Sequence, residues 1–161
     1  MKTIGQGMIA TAFKNTGLAN DDLLIFASGV SDSQELSVEA FEKESSLLRD
    51  AITRFPECKI VYFSSCSVGL IDNPYYRHKA AMEEMVMRTA KRYLVCRLPQ
   101  VVGMTRNATL VNHVAKRIRS GETVSVRANA YRNLIGIDDV VRITLRLSEL
   151  SSMRIQVTNG K

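Results

Sequence analysis

A tyrosine and a lysine stand four positions apart, at Tyr75 and Lys79. If the segment is helical, both side chains lie on one face of the helix. A neighbouring ammonium group favours the phenolate and lowers a tyrosine pKa from its ordinary value of about 10. Such a tyrosine could take a proton from a substrate alcohol while a hydride leaves the adjacent carbon. The spacing is also common on plain helix surfaces, so it needs support from other residues.

Small polar residues follow an apolar run shortly before this pair. Residues 60–63 read IVYF and predict a buried strand, and residues 64–67 read SSCS. A serine at the end of this strand could hydrogen-bond the same substrate oxygen as the tyrosine. We interpret Cys66 as a small, buried side chain rather than a nucleophile.

A glycine turn stands near the N-terminus, where residues 5–10 read GQGMIA and match the pattern G-x-G-x-x-A. Gly5 permits a tight turn, Gly7 lets the backbone approach a pyrophosphate, and Ala10 lets the helix lie close to the sheet. The free N–H groups at the helix start, around Met8 and Ile9, would face the phosphates. A plain strand-to-helix turn explains the same letters about as well.

These residues are positioned by alternating strands and helices, which predict a parallel sheet covered on both faces. The predicted strands are residues 2–4, 23–27, 59–64, 93–98 and 153–157, with short extended pieces at 123–126 and 133–137. The predicted helices are residues 8–15, 38–55, 75–92, 108–119 and 140–150. Ser37 is the expected N-cap of the second helix, and Pro56 ends it.

Composition restricts the class of protein. The 161 residues, 45% of them hydrophobic, suit one domain spanning residues 1–161. No apolar run approaches the roughly 20 residues of a membrane helix. Three cysteines and two histidines without metal-like spacing predict reduced thiols in the cytoplasm and no metal site. The net charge of +6 fits a solvated basic surface or a diphosphate ligand. Nucleic acid is less favoured, because the few aromatic residues do not alternate with the bases.

Taken in order, several blocks resemble the extended short-chain dehydrogenase/reductase group, specifically the NAD-dependent epimerase/dehydratase family. The blocks are residues 5–10, 25–29, 63–68, 75–79, 97–103 and 132–141. The resemblance implies a Rossmann-type, doubly wound parallel sheet, a bound NAD or NADP, and a nucleotide-sugar substrate. It also implies that residues from about 100 onward contribute to a reduced substrate region.

The resemblance also implies residue roles. Tyr75 would be the acid/base, Lys79 would lower its pKa and hold the nicotinamide ribose, and Ser65 would contact the substrate oxygen. Cys66 takes the place of Ser65 if the alignment follows the serine run instead. Gln100 and Arg132 would bind substrate, although Arg132 could equally be a solvated arginine. The cofactor would contact Gly5, Gly7, Met8, Ile9, Ala10, Ala27, Ser28, Gly29, Tyr75, Lys79 and Pro99.

Some features depart from the family pattern. The early strand-helix units are shortened or absent, and no acidic residue follows at the end of a second strand to hold the adenosine ribose. NAD and NADP therefore cannot be distinguished. Gln100 replaces an asparagine that many relatives carry, and the C-terminal region is short. A non-catalytic nucleotide-binding or scaffold protein is therefore the alternative to an epimerase, dehydratase or reductase.

Residues beside the proposed site receive simpler interpretations. We expect His78 and His113 to face solvent. We expect Met82, Met85 and Met87 to pack in the core or at a subunit contact. In relatives the helix that carries the tyrosine often pairs with its symmetry mate, so a homodimer is a further expectation.

Overall fold

The structure is a computed structural model that describes residues 1–103, 110–125, 129 and 131–158. Its strands are β1 (Lys2–Ile4), β2 (Leu23–Phe26), β3 (Lys59–Ser65), β4 (Arg92–Leu98), β5 (Gln100–Val102), β6 (Leu134–Gly136) and β7 (Met153–Gln156). Its helices are α1 (Met8–Asn15), α2 (Val38–Arg54), α3 (Pro74–Thr89), α4 (Leu110–Arg119) and α5 (Ile137–Ser148).

Five strands form a parallel sheet in the order β1-β2-β3-β4-β7, and β5 pairs with β6 in a separate parallel pair. Strand β2, which lies between β1 and β3, is buried along its whole length, as its continuous apolar sequence LLIF predicts for a sheet covered on both faces. The predicted Rossmann-type fold class is confirmed.

Successive side chains of the strands alternate between two hydrophobic cores, one on each face of the sheet. Leu24 and Tyr62 lie in the core formed with α2 and α3, whereas Leu23 and Val61 lie in the core formed with α1 and α5. Met82, Met85 and Met87 pack in or against the first of these cores, which confirms their predicted packing role.

The winding of the first units is unusual. The chain moves from β1 to β2 and from β2 to β3 in the same direction across the sheet, yet α1 and α2 lie on opposite faces. The two crossovers therefore have opposite hands, although about 98% of such crossovers are right-handed. One of the two is therefore left-handed, which fits the shortened or absent early strand-helix units that the sequence indicates. Strand β1 forms an edge of the sheet.

Capping follows the sequence. The Ser37 hydroxyl accepts a hydrogen bond from Ala40 N at 3.1 Å, which confirms it as the N-cap of α2. Asn73 caps α3 by accepting from Tyr76 N at 2.8 Å, and Pro74 occupies the first helical turn.

Several elements differ from the sequence prediction, and helix α3 ends at Thr89 rather than at residue 92, where β4 begins. Helix α5 begins at Ile137 rather than at residue 140, because Asp138 and Asp139 occupy its first turn instead of preceding it. Strand β5 was not predicted, and residues 123–125 form no strand. Residues 108, 109 and 126, which the predictions included, lie outside the described residues.

Candidate active site

The predicted site residues gather at one edge of the sheet. Gly5 follows β1, residues 27–29 follow β2, Ser65 ends β3 and Pro99 follows β4. These four strands are parallel neighbours, so their carboxyl ends meet at the same edge. Ligands of open α/β sheets bind in the crevice outside this edge.

The glycine turn (residues 5–10) is shaped by its two glycines. Gly5 has a φ of +128°, and a Cβ there would lie 2.2 Å from the Ala27 carbonyl oxygen, so only glycine fits. At Gly7 a Cβ would meet nothing within 4 Å, which leaves open space above the turn. Helix α1 has no side-chain N-cap and no acidic residue in its first turn. Its first N–H groups are therefore available to an anion such as a diphosphate.

The other residues of the turn hold α1 in place. Ala10 is fully buried, and Ile9 packs against the core on the α1 face of the sheet. The Met8 sulfur would lie 3.0 Å from a Cβ on Gly103, so the helix start contacts the segment that follows β5. The turn thus meets the residues expected to form the substrate region.

Residues 27–29 connect the turn to Lys79. Ala27 N donates to Ile4 O at 2.8 Å, which continues the β1–β2 pairing past the end of β2. A Cβ on Gly29 would lie 2.6 Å from Lys79 Nζ and 2.7 Å from Glu44 Oε1. The segment expected to line the cofactor therefore lies directly beside the lysine ammonium group, and Gly29 leaves room for this approach. Ser28, between Ala27 and Gly29 in the sequence, is half-buried.

Lys79 is part of a buried group that we call the Glu44 cluster: Glu44, Tyr62, His78, Lys79 and the backbone N–H of Val30. Lys79 Nζ donates to Glu44 Oε1 at 3.0 Å and to the Tyr62 hydroxyl at 3.2 Å. Lys79 as a whole is only 3% exposed. Glu44 also accepts from Tyr62 at 2.7 Å and from Val30 N at 2.7 Å, and its Oε2 lies 3.0 Å from His78 Nε2.

Electrostatics in the cluster follow from burial and pairing. Burial alone would raise the pKa of the Glu44 carboxyl. The His78 hydrogen bond, the Lys79 charge and the bonds from Tyr62 and Val30 outweigh burial and lower this pKa to about 2. Burial lowers the pKa of Lys79 from its usual value, while the Glu44 charge acts in the opposite direction. The Glu44 carboxylate is therefore ionised, and its charge opposes the loss of the Lys79 proton that burial favours.

The expectation for His78 was wrong. Its side chain is only 8% exposed and stacks on the Phe41 ring, with centroids 4.5 Å apart. The reason is that α2 packs across α3 and covers the face of α3 that carries His78. His113 on α4 is exposed, as predicted.

Tyr75 shares the buried face of α3 with Lys79, as the spacing predicted, and Lys79 Nζ lies 5.7 Å from its ring centroid. The pKa of Tyr75, however, is raised rather than lowered. Burial is the main cause, and the negative charge of Glu44 adds to it. The expected lowering is absent because Glu44 neutralises the ammonium group that would have stabilised a phenolate.

The three polar residues at the end of β3 have different surroundings. Ser65 is half-buried, and its hydroxyl accepts from Ser67 N at 3.2 Å. Ser64 is buried and donates to Glu83 Oε1 at 2.6 Å. Cys66 is half-buried, with its sulfur 3.3 Å from Arg97 O, and burial raises the pKa of its thiol. A raised pKa disfavours the thiolate, so Cys66 is a poor nucleophile here.

The sequence analysis identified neither Glu44 nor a second buried acid, Glu83, which fixes α3 against the sheet. The 1% exposed Glu83 receives two bonds from Arg97, of 2.8 and 2.7 Å, and one from Arg154 at 3.2 Å. Glu44 and Glu83 each occupy a helix face that packs on the sheet, and an acidic residue at such a position is the signal that could have found them.

The predicted substrate residues lie near the β5–β6 pair. Pro99 separates β4 from β5, and Gln100 N donates to Asn133 O at 3.3 Å. Gln100 pairs in register with Leu134, and the exposed Arg132 precedes Leu134 by two residues. This pairing brings Gln100 near Arg132. The two residues thus lie near each other without contacting the Glu44 cluster in any bond that the structure describes.

The described residues contain neither a metal-binding cluster nor a membrane-spanning helix. No group of three or more His, Cys, Asp or Glu side chains there could hold a metal ion. No described helix is both long and apolar enough to cross a bilayer.

Comparison with solved structures relates the fold to nucleotide-sugar enzymes. The UDP-N-acetylglucosamine 4-epimerase of Bacillus cereus matches with a TM-score of 0.77 and 16% identity, over 99% of this chain and 75% of that chain. The enzyme WbmH of Bordetella bronchiseptica, in complex with NAD+, matches with a TM-score of 0.73 and 17% identity, over 96% and 58%. The UDP-glucose 4-epimerase of Thermotoga maritima, with UDP-glucose, matches with a TM-score of 0.68 and 17% identity, over 96% and 60%.

At these identities the likeness shows a shared fold, and this chain spans less than two thirds of the last two enzymes. No curated protein matches the sequence significantly. The sequence model of the NAD dependent epimerase/dehydratase family matches residues 70–155, which is more than half of the chain and includes Tyr75, Lys79, Gln100 and Arg132. The chain therefore belongs to the NAD-dependent epimerase/dehydratase family.

Proposed function

We propose that the chain binds NAD or NADP across the glycine turn and residues 27–29, and that it serves oxidation and reduction of a nucleotide sugar. The observation that carries the proposal is the meeting of four parallel strand ends, where an open glycine turn lies next to a segment that contacts Lys79. Family membership and the fold shared with nucleotide-sugar epimerases support the same function.

The residues around the turn fit such a cofactor. The open space at Gly7 and the uncapped N–H groups of Met8 and Ile9 suit its diphosphate. Residues 27–29 and Pro99 would line the path to the nicotinamide, and Lys79 would reach its ribose. When bound, NAD or NADP accepts a hydride from a sugar carbon and returns it.

Tyr75 would handle the matching proton at its hydroxyl oxygen. Its raised pKa keeps it a phenol, so it is ready to donate a proton to a sugar oxygen as hydride returns. The reverse step needs the phenolate and therefore a nearby positive charge that Glu44 does not cancel. Ser65 would hold the same sugar oxygen, Gln100 the sugar, and Arg132 the substrate diphosphate.

Two further parts of the proposal concern the setting of the protein. The cysteines Cys58, Cys66 and Cys96 are all free, which favours a reducing compartment such as the cytoplasm.

Helix α3 is the surface through which two copies would pair, and gel filtration with light scattering tests that pairing.

The alternative is a non-catalytic nucleotide-binding or scaffold protein. Three observations favour it: Lys79 is buried against Glu44, the pKa of Tyr75 is raised, and among the described residues no strand lies beyond β1 for the adenosine half of a dinucleotide. The alternative differs from the main proposal in predicting no turnover with any nucleotide sugar.

The cofactor site is tested by titrating NADH and NADPH into wild-type protein and a Gly7→Ala variant, following cofactor fluorescence and heat. The added methyl group touches no protein atom within 4 Å, so the variant should fold normally while filling the space above the turn. We expect wild type to bind and Gly7→Ala to lose at least about tenfold in affinity, which corresponds to about 1.4 kcal/mol.

Gly136→Ala is the matched control, because Gly136 is also an N-cap glycine with ordinary φ, and its Cβ would approach no closer than 3.7 Å to Asp139. It should bind like wild type. Absence of wild-type binding at millimolar cofactor would refute the cofactor site. Equal affinity in wild type and Gly7→Ala would refute the glycine turn as its location.

A further inference from the structure

We propose that Glu44 is a positioning residue of this site, whose carboxylate holds both the Lys79 ammonium group and the backbone after β2 in the arrangement that cofactor binding requires. This inference rests on the proposed function, and it assigns a role to a helix α2 residue outside every sequence block that pointed to the site. The argument comes from the Glu44 cluster itself.

Glu44 joins helix α2 to three other parts of the fold through its two oxygens. Oε1 accepts from Tyr62 of β3 at 2.7 Å and from Lys79 of α3 at 3.0 Å. Oε2 accepts from Val30 N at 2.7 Å and lies 3.0 Å from His78 Nε2. The carboxylate, which is 1% exposed, therefore has a partner in each of its main acceptor directions.

This arrangement gives Lys79 a defined direction. An ammonium group has three donors, and two of them are directed to Glu44 and to Tyr62. One donor remains for a ligand hydroxyl, and Gly29, on the segment proposed to line the cofactor, lies so close that a Cβ there would be 2.6 Å from Lys79 Nζ. Without Glu44, nothing else in the cluster carries the negative charge that keeps a 3% exposed ammonium group in this place.

The same carboxylate also fixes the segment after β2. Its bond to Val30 N orders the residue that directly follows Gly29, and a Cβ on Gly29 would lie 2.6 Å from Lys79 Nζ and 2.7 Å from Glu44 Oε1. Loss of the carboxylate should therefore disturb both walls of the proposed ribose site together.

Glu44→Gln is the direct test, with Glu42→Gln on the exposed face of the same helix as the control. The glutamine keeps the volume but removes the charge. Its NH2 group must face either the Tyr62 and Lys79 donors at the Oε1 position or the Val30 N–H and His78 at the Oε2 position. The first readout uses cofactor-free protein carrying 13C-labelled lysine, in which the pH titration of the Lys79 Cε signal is assigned with Lys79→Arg. The second readout is NADH affinity.

We expect the Lys79 titration midpoint to fall by at least about one pH unit in Glu44→Gln, because the carboxylate that most strongly opposes the effect of burial is lost and only the weaker effect of the Glu83 charge remains. We expect NADH affinity to fall at least about tenfold in the same variant. Both values should match wild type in Glu42→Gln. An unchanged midpoint, or an unchanged NADH affinity, overturns the inference.

Glu44→Asp gives a second test if the glutamine variant does not fold. It keeps the charge that Lys79 needs, but its carboxylate is one methylene shorter and cannot reach all partners. The midpoint should stay close to wild type while NADH affinity falls, and wild-type affinity in Glu44→Asp would overturn the inference. Failure of the proposed function looks different, because wild type itself would then not bind NADH.

Discussion

Replacement of Tyr75 by phenylalanine is expected to abolish turnover of a nucleotide sugar while NADH binding stays close to that of wild type. The change removes only the hydroxyl that would move a proton, and general acid-base catalysis contributes about 10²- to 10⁴-fold in rate. The ring remains in its buried place beside Lys79, so the fold and the cofactor site should persist. The measurement is kcat with UDP-sugars, alongside an NADH titration of the same protein.

Tyr76→Phe is the matched control. Tyr76 is the next residue of α3, and its ring meets the Tyr75 ring edge-on with centroids 5.0 Å apart. It loses the same atom from the same helix but has no proposed part in proton transfer, so its kcat should equal that of wild type. Turnover that survives in Tyr75→Phe would remove Tyr75 from the mechanism. Turnover absent from wild type, despite NADH binding, would instead favour the non-catalytic alternative.

Local sequence patterns predicted most of the fold. Strands with continuous apolar runs, such as β2 with LLIF, and helices with clear caps, such as α2 behind Ser37, were placed to within a residue or two. Strand β5 was missed because three residues after a proline carry little signal of their own. It exists through long-range pairing, in which Gln100 lies opposite Leu134.

The candidate site was predicted in part, and the division has a physical cause. The helical period places Tyr75 and Lys79 on one buried face, so their proximity could be read from spacing alone. The Glu44–Lys79 contact joins residues 35 positions apart on two helices, and no local pattern encodes it. The raised Tyr75 pKa, which burial causes and the Glu44 charge increases, and the burial of His78 both depend on the packing of α2 against α3, which local patterns do not encode either.

Glu44→Ala should destabilise the protein by about 3–5 kcal/mol, the range measured when one partner of a buried ion pair is removed. Lys79 would be left as a buried charge without compensation, and the Tyr62 hydroxyl would lose its acceptor. Chemical denaturation at neutral pH measures the change in the free energy of unfolding. Asp72→Ala is the control, because the Asp72–Arg77 pair has a distance of 2.6 Å but side chains 80% and 63% exposed. Its removal should cost little or nothing.

The decrease in the free energy of unfolding at acid pH also reports on the Glu44 ion pair, and it can be measured in wild type. Glu44 has a folded-state pKa of about 2 against a model-compound value of 4.5, so the folded state binds its proton less readily than the unfolded state. Its contribution to stability is therefore complete above pH 4.5 and is lost as the pH falls toward 2. In Glu44→Gln this part of the pH dependence should be absent, and the curve should be flatter over that window. An acid limb identical to that of wild type would show that Glu44 does not titrate as a buried, paired carboxylate.

Removal of both charges separates the cost of an unpaired ion from the value of the pair. A buried ion pair replaced by apolar residues of similar volume is often neutral or stabilising, whereas loss of one partner is strongly destabilising. The double variant Glu44→Leu/Lys79→Met should therefore be more stable than Glu44→Ala, even though it removes more polar contacts. It should also fail to bind NADH, because nothing in it can hold the ribose. If the double variant folds well and binds no cofactor, then the pair has been kept for its place in the site, since stability alone does not require it. If it is less stable than Glu44→Ala, the pair is chiefly a structural support.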